Sequence, residues 1–176
     1  AVPAGIKYKD RLDLGLIFSE SPAVAAGVFT TNQVKAAPVL LSQEHLRTNK
    51  ARAIIVNSGN ANACTGIDGL HRARLTAERV AKELSIRPEE VLVASTGVIG
   101  APLNTDAVSE AVPALVKGLS PEGIPRVVEA MMTTDSFPKR ALFQGEAGGK
   151  PYRILGVAKG AGMIMPRMAT MLAYIV

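Results

Sequence analysis

Two short apolar runs with an amphipathic stretch between them leave this chain few ways to fold. AIIVNSG (53–59) and VLVAST (91–96) are continuous hydrophobic segments that end in small polar residues. They are short for helices and show no polar alternation, so each reads as a strand buried on both faces. Between them, Leu70, Ala73, Ala77, Val80, Ala81 and Leu84 form one stripe at helical spacing, predicting a helix over 68–85. Arg72, Arg79, Lys82 and Glu83 fall off that stripe, and Glu78 stands one turn before Lys82, the favourable order for an i,i+4 ion pair. A strand–helix–strand unit of this kind sets an α/β class.

The rest of the chain adds elements around this unit. Leu12, Leu14, Leu16 and Phe18 alternate with Asp13, Gly15 and Ile17, predicting a strand. VAAGVFT (24–30) and AAPVLL (36–41), separated by the turn-like TTNQ, read as two more. A second helix is expected over 105–119, with Pro113 as a kink. Ser120-Pro121-Glu122 reads as the start of a third, with serine as cap and proline at the first helical position, running to about residue 132. ALFQGE and KPYRILGVA predict a hairpin around Ala147-Gly148-Gly149, and MATMLAYIV a last strand. No long-period repeat or low-complexity linker divides residues 1–176, so a single unit is expected.

Composition narrows the partners. With 48% hydrophobic and 20% charged residues the chain can build a core and is not disordered. No apolar run reaches the ~18–20 residues of a membrane span, and AVPAGIKYKD lacks the apolar centre of a secretion leader. One cysteine allows no internal disulfide, so a cytoplasmic protein away from membranes is expected. One cysteine and two histidines argue against a His/Cys metal cluster. The net charge of +5 raises nucleic acid as a partner. However, the basic residues are spread among acids, and with three Tyr, four Phe and no Trp there is little to stack bases on. A small anionic substrate accounts for the sign equally well.

Five stretches could carry chemistry. In ASTGVIG (94–100) a buried strand runs into Thr96-Gly97. That is a strand-to-loop turn needing a positive φ, or a place where a glycine amide and the Thr96 hydroxyl meet an oxyanion. NSGNANACTG (57–66) lies between strand and helix, where nucleotide-binding folds hold phosphate, but its spacing is not G-x-G-x-x-G. Asn57, Ser58, Asn60 and Asn62 serve equally as turn formers. Cys64 could be a nucleophile beside His45 or His71, but reads better as a small buried apolar residue. In MMTTDSFPK (131–139), Thr133, Thr134, Asp135 and Ser136 could cap a helix end or orient a polar substrate. Last, in KGAGMIMPRMATML (159–172), Gly160 and Gly162 let the chain pass close to something beside Lys159. Thr170 is a good nucleophile only if it heads its own chain, where a free α-amine of pKa about 7.7–8.0 serves as its base. That requires cleavage between Ala169 and Thr170; the plainer reading is a strand residue, and spacing alone does not choose.

Taken together these segments resemble the ornithine acetyltransferases, the glutamate N-acetyltransferases of arginine biosynthesis. KGAGMIMPRMATML resembles that family's autoprocessing segment, and GVFTTN…AAPV, NSGNANACTG, STGVIG and MTTDSFPK its other characteristic segments, in the same order. The resemblance implies a stacked α/β sandwich like that of N-terminal-nucleophile hydrolases but differently connected. It implies a precursor that cuts itself between Ala169 and Thr170, so that residues 1–176 hold the α chain and, from Thr170, the first residues of a β chain. With that bond intact, Thr170 has no free amine and the form would be inactive. Thr170 would be the nucleophile of a ping-pong transfer, taking acetyl from N-acetylornithine and passing it to glutamate. Thr96 and Gly97 would form the oxyanion hole; Thr133, Lys159 and Thr170 would contact substrate. The implied partner is the β chain, in a heterotetramer or larger assembly, with no cofactor. Some members also take acetyl from acetyl-CoA. The alternative is an N-terminal-threonine amidase or aminopeptidase of related fold, with water as the acceptor.

Overall fold

The computed structural model describes residues 1–7, 9–162 and 171–176. The strand–helix–strand unit forms as its pattern predicts. β2 (Lys50–Asn57) and β3 (Val91–Ser95) pair in parallel with Ile55 opposite Val93, and α2 (Gly66–Leu84) is the crossover between them. β1 (Leu14–Val24) pairs antiparallel with the other edge of β2, Leu16 opposite Ile55. β2 is therefore the central strand of three, which is why AIIV carries no polar alternation.

Period-two geometry sorts the side chains of this sheet into two cores. Leu14, Leu16, Ala53, Ile55, Val91 and Val93 face α1 (Ala37–His45), α2 and α3 (Thr105–Lys117), packing on Leu41, Ala73, Ala77, Val80, Val108 and Val112. The intervening residues Ile17, Val56 and Ala94 face the other way. There they meet Val127, Val128 and Met131 of α4 (Ile124–Met131). The same cluster takes in Leu155 and Val157 of β5 (Lys150–Lys159) and Leu172 and Tyr174 of β6 (Leu172–Ile175). β4 (Lys139–Ala147), β5 and β6 form a second, antiparallel sheet in that order. The layers are thus helices, sheet, α4 and sheet, the expected α/β sandwich.

Gly15 is what lets α4 close on the first sheet. It lies opposite Val56, and a Cβ there would sit 3.1 Å from the Val127 side chain and 3.3 Å from that of Val56. The β4–β5 turn is the two-residue hairpin the glycines predict: Ala147 pairs with Lys150, and Gly148 and Gly149 have φ of 58° and 75°. Ser120 caps as expected, its hydroxyl accepting the Glu122 N–H at 3.2 Å, and a short 3-10 turn then leads into α4. Pro113 lies inside α3 and cannot donate to the Ser109 carbonyl one turn back. The Arg79 guanidinium of α2 supplies that carbonyl with a donor at 3.2 Å. Among the described residues no helix is long and apolar enough to cross a membrane.

Two expected strands are not strands. Beyond Val24 the segment 25–30 has no regular structure, and 36–41 opens α1. AAPVLL is too short to reveal its period by itself. The buried positions Ala37, Pro38, Leu41, Ser42 and His45 recur at helical spacing only once the polar Ser42 and His45 are counted as inward-facing. Both have a reason to be inside. The Ser42 hydroxyl donates to the Val93 carbonyl at 2.8 Å and accepts the Val93 N–H at 3.0 Å. His45 Nδ1 lies 2.8 Å from the Val91 carbonyl. α1 thereby covers the outer edge of β3, which would otherwise carry unpaired backbone groups.

The close approach at Gly15 yields a test. Gly15→Val should force α4 away from the sheet and lower the unfolding free energy by about 1–3 kcal/mol, the usual cost of overpacking. Denaturant titration of the variant beside the parent protein measures it.

Candidate active site

Three chain segments far apart in sequence end at one place between the sheets. Thr96 follows β3, two residues beyond Ala94 and on the same side; Thr133 and Asp135 follow the last turn of α4; Lys159 closes β5, two residues beyond the buried Val157. The parity that turns Val157 inward turns Lys159 inward too, and its ammonium is driven into a region with only 3% exposure. A buried ammonium needs acceptors and a counter-charge. Lys159 Nζ donates to Thr133 Oγ1 at 2.7 Å and to Thr96 Oγ1 at 3.2 Å, and Asp135 Oδ2 lies 3.8 Å away.

This arrangement fixes the direction of the hydroxyls. An ammonium can only donate, so the two threonine oxygens act as acceptors toward it and keep their own protons. Among the described residues neither proton has an acceptor, and both can donate to a ligand. The ammonium likewise has three N–H bonds, of which two are used.

Asp135 is the one carboxylate among the four polar residues of its segment, and the sequence left open whether it caps the helix end or serves a site. Thr134 and Ser136 are exposed, whereas the Asp135 side chain has no solvent exposure. Its Oδ1 accepts from Lys139 Nζ at 2.7 Å and from the Gly160 N–H at 2.8 Å, and its Oδ2 from the Thr133 N–H at 3.4 Å. Burial pushes its pKa up, but these hydrogen bonds and the Lys159 charge outweigh burial and hold the carboxyl at about 2. For Lys159 burial is the largest influence and brings its pKa below the usual lysine value; Asp135 opposes that shift and Lys139 adds to it.

Gly97 is held by the asparagine-rich loop. Its φ is +137°, and a Cβ would lie 2.3 Å from the Gly59 carbonyl carbon and 2.5 Å from the Asn60 nitrogen. The two loops are laced together: Thr96 N–H donates to the Asn57 carbonyl at 3.0 Å, Val98 N–H to Gly59 at 3.2 Å, and Ala61 N–H to Val98 at 2.9 Å. Asn60 Nδ2 reaches the Ala101 and Pro102 carbonyls at 3.1 Å each, and its Oδ1 accepts the Asn62 N–H at 2.7 Å. Asn57 Nδ2 donates to the Asn60 carbonyl at 2.8 Å, and Asn62 Nδ2 to Gly69 at 2.8 Å. The asparagine amides therefore donate to backbone, as turn formers do, while the Asn57 and Asn62 side-chain oxygens accept the Ser95 and Thr65 hydroxyls. The Gly97 N–H donates to no acceptor among the described residues.

The structure brings Thr96, Gly97, Thr133 and Lys159 together, with Asp135 and Lys139 behind them. Ala169 and Thr170 lie outside the described residues. Cys64 is exposed, at φ 57°, and is not the buried apolar residue its composition suggested. The turn geometry that carries the loop outward into α2 puts it at the surface. His71 is also exposed, and His45 is committed to β3.

Two outcomes follow from this geometry. Gly97→Ala should destabilise the protein and displace the 57–62 loop, seen as a lower melting temperature and altered amide shifts across both loops. The depressed Asp135 pKa contributes stability that is present above its unfolded value of 3.8 and is lost as pH falls through about 2. In acid titrations followed by circular dichroism, Asp135→Asn should show a smaller loss across that window.

A sequence profile of the ArgJ family matches residues 1–176. The arginine biosynthesis bifunctional protein ArgJ of Desulfotalea psychrophila is 53% identical over 176 residues, covering 100% of this chain and 45% of that protein. The protein of the same name from Geobacter sulfurreducens is 54% identical with the same coverage. The chain thus spans about half the length of the curated relatives it matches. Among solved structures, the ornithine acetyltransferase of Mycobacterium tuberculosis complexed with ornithine matches with a TM-score of 0.89 and 45% identity, over 96% of this chain and 90% of that one. The bifunctional protein argJ of Bacillus halodurans matches with a TM-score of 0.87 and 42% identity, over 96% and 88%. The layered α/β sandwich is the fold of these proteins, akin to that of the N-terminal-nucleophile hydrolases. On sequence and fold together, the chain belongs to the ArgJ family.

Proposed function

We propose that this chain is the N-terminal part of a self-cleaving acyltransferase of arginine biosynthesis, which moves an acetyl group from N-acetylornithine to glutamate through Thr170. The observation that carries the reading is the buried Lys159 ammonium, held by two threonine hydroxyls beside the Gly97 turn. Burying a lysine lowers its pKa and contributes nothing to the core, so a role toward an anionic ligand is a better account of it than packing.

In the first step, the Thr170 hydroxyl attacks the carbonyl carbon of Ala169. The peptide C–N bond breaks as the ester C–O bond forms, and the proton passes to the departing amine. Water then hydrolyses the ester, leaving Ala169 with a carboxylate and Thr170 with a free α-amine. In the second, that amine takes the hydroxyl proton while the Thr170 oxygen attacks the acetyl carbonyl of N-acetylornithine. Ornithine leaves with the proton, and acetyl-threonine remains. In the third, the glutamate amine attacks the ester, giving N-acetylglutamate and regenerating the hydroxyl. Each step builds negative charge on a carbonyl oxygen. The Gly97 N–H and the Thr96 hydroxyl are suited to receive it, since both donors are free among the described residues. The Lys159 ammonium and Thr133 hydroxyl suit the ligand's carboxylate.

The partner in this reading is the remainder of the precursor, consistent with the greater length of the relatives. The outer face of the second sheet favours it: Phe143 pairs with Ile154 across β4 and β5, Tyr152 packs 6.1 Å from the Phe143 ring, and Ile175 extends the stripe, all exposed. An apolar face of this kind is normally covered.

Intact mass of the full-length gene product tests the first step. A split between Ala169 and Thr170, lost in Thr170→Ala together with turnover, is expected; an active continuous chain would overturn the proposal. Assay with N-acetylornithine and glutamate separates the alternative, because an amidase would release ornithine and acetate without forming N-acetylglutamate.

A further inference from the structure

We propose that Asp135 is a positioning residue for the reaction: it holds the Lys159 ammonium against Thr96 and Thr133 and pins the chain turn at Gly160. The inference rests on the reading above, in which Lys159 contacts substrate.

Asp135 ties together the segment after α4, the end of β5 and the start of β4. Its Oδ1 takes the Gly160 N–H at 2.8 Å, directly after Lys159, and so fixes where β5 ends. Its Oδ2 accepts the Thr133 N–H at 3.4 Å, which orients the residue whose hydroxyl receives the Lys159 proton. Lys139, at the start of β4, closes the cluster at 2.7 Å. With the carboxylate 3.8 Å from Lys159 Nζ, the two attract as charges without forming a hydrogen bond. Two of the ammonium protons therefore stay directed at the hydroxyls, and the third is committed to no acceptor among the described residues. A shorter ion pair would use that proton up. Distance is thus part of the device: Asp135 supplies counter-charge without competing with the ligand.

Among the described residues, the charged groups facing Lys159 are Asp135, from the segment after α4, and Lys139, from β4. They act in opposite directions. Removing the carboxylate while keeping its shape, as in Asp135→Asn, leaves two cations facing one another, and Lys159 should lose its proton at lower pH. Removing the competing cation, as in Lys139→Met, should raise the Lys159 titration point.

The test uses full-length protein in both forms, with Lys159→Met to assign the signal. The Lys159 titration is followed by NMR with lysine labelled at Nζ with nitrogen-15, and the alkaline limb of the kcat/KM profile for N-acetylornithine is measured alongside. Opposite shifts of the titration in Asp135→Asn and Lys139→Met, followed by the alkaline limb, are expected. Shifts of the titration without movement of the limb would uphold the link between Asp135 and Lys159 but overturn Lys159 as a substrate contact. An unmoved titration in both variants would overturn the inference whatever the activity. Should Asp135→Asn fail to fold, the upward shift in Lys139→Met decides alone, since Lys139 is partly solvent-exposed and lies at the margin of the cluster.

Discussion

A charged ammonium held between two sheets is the constraint around which this structure is arranged. Lys159 is almost wholly buried, and an isolated charge in that position would be lost to neutralisation. The protein answers with a carboxylate that is itself fully enclosed and hydrogen-bonded from three sides, and with two hydroxyls that accept the ammonium's protons. Each part depends on the others. Without Lys139 and the Gly160 amide, burial would drive Asp135 toward its neutral form. Without Asp135, Lys159 would face Lys139 with nothing between them.

The apolar framework exists to hold those groups in register. α4 packs on both sheets, so its last turn delivers Thr133 and Asp135 to the gap that β3 and β5 open onto. Gly15 eases the approach, since a Cβ there would crowd the Val127 side chain at 3.1 Å. The opposite core, under α1 to α3, makes no contribution to the site itself. It fixes β2 and β3 as a parallel pair, and the loops leaving their ends can then lace together through Asn57, Asn60 and Asn62. The turn at Gly97 is the product of that lacing: its backbone lies so close to Gly59 and Asn60 that no side chain fits.

Much of this was legible beforehand, for identifiable reasons. The strands at 53–59 and 91–96, the helix over 68–85 and the glycine hairpin were readable because each follows from local periodicity or turn chemistry. AAPVLL misled because a six-residue apolar run carries no period, and the two residues completing its helical face are polar. They are polar because they serve the edge of β3, a neighbour no local pattern can announce. Cys64 misled for a similar reason: its small apolar character suggested burial, but the turn carries it outward. Asp135 was visible as the one carboxylate among three hydroxyl residues, but only its enclosure shows that it serves the site.

By itself, then, the sequence determined the elements, the turns and the chemical types available, because helical and strand periods, glycine φ and proline placement act within a few residues. Tertiary structure decided which of those groups meet. Thr96 and Thr133 lie 63 and 26 residues from Lys159, and their oxygens converge on its nitrogen only because α4 wedges between two sheets. That convergence is set by packing summed over many distant residues, and the enclosure of Asp135 and the depressed pKa of Lys159 are consequences of the packing.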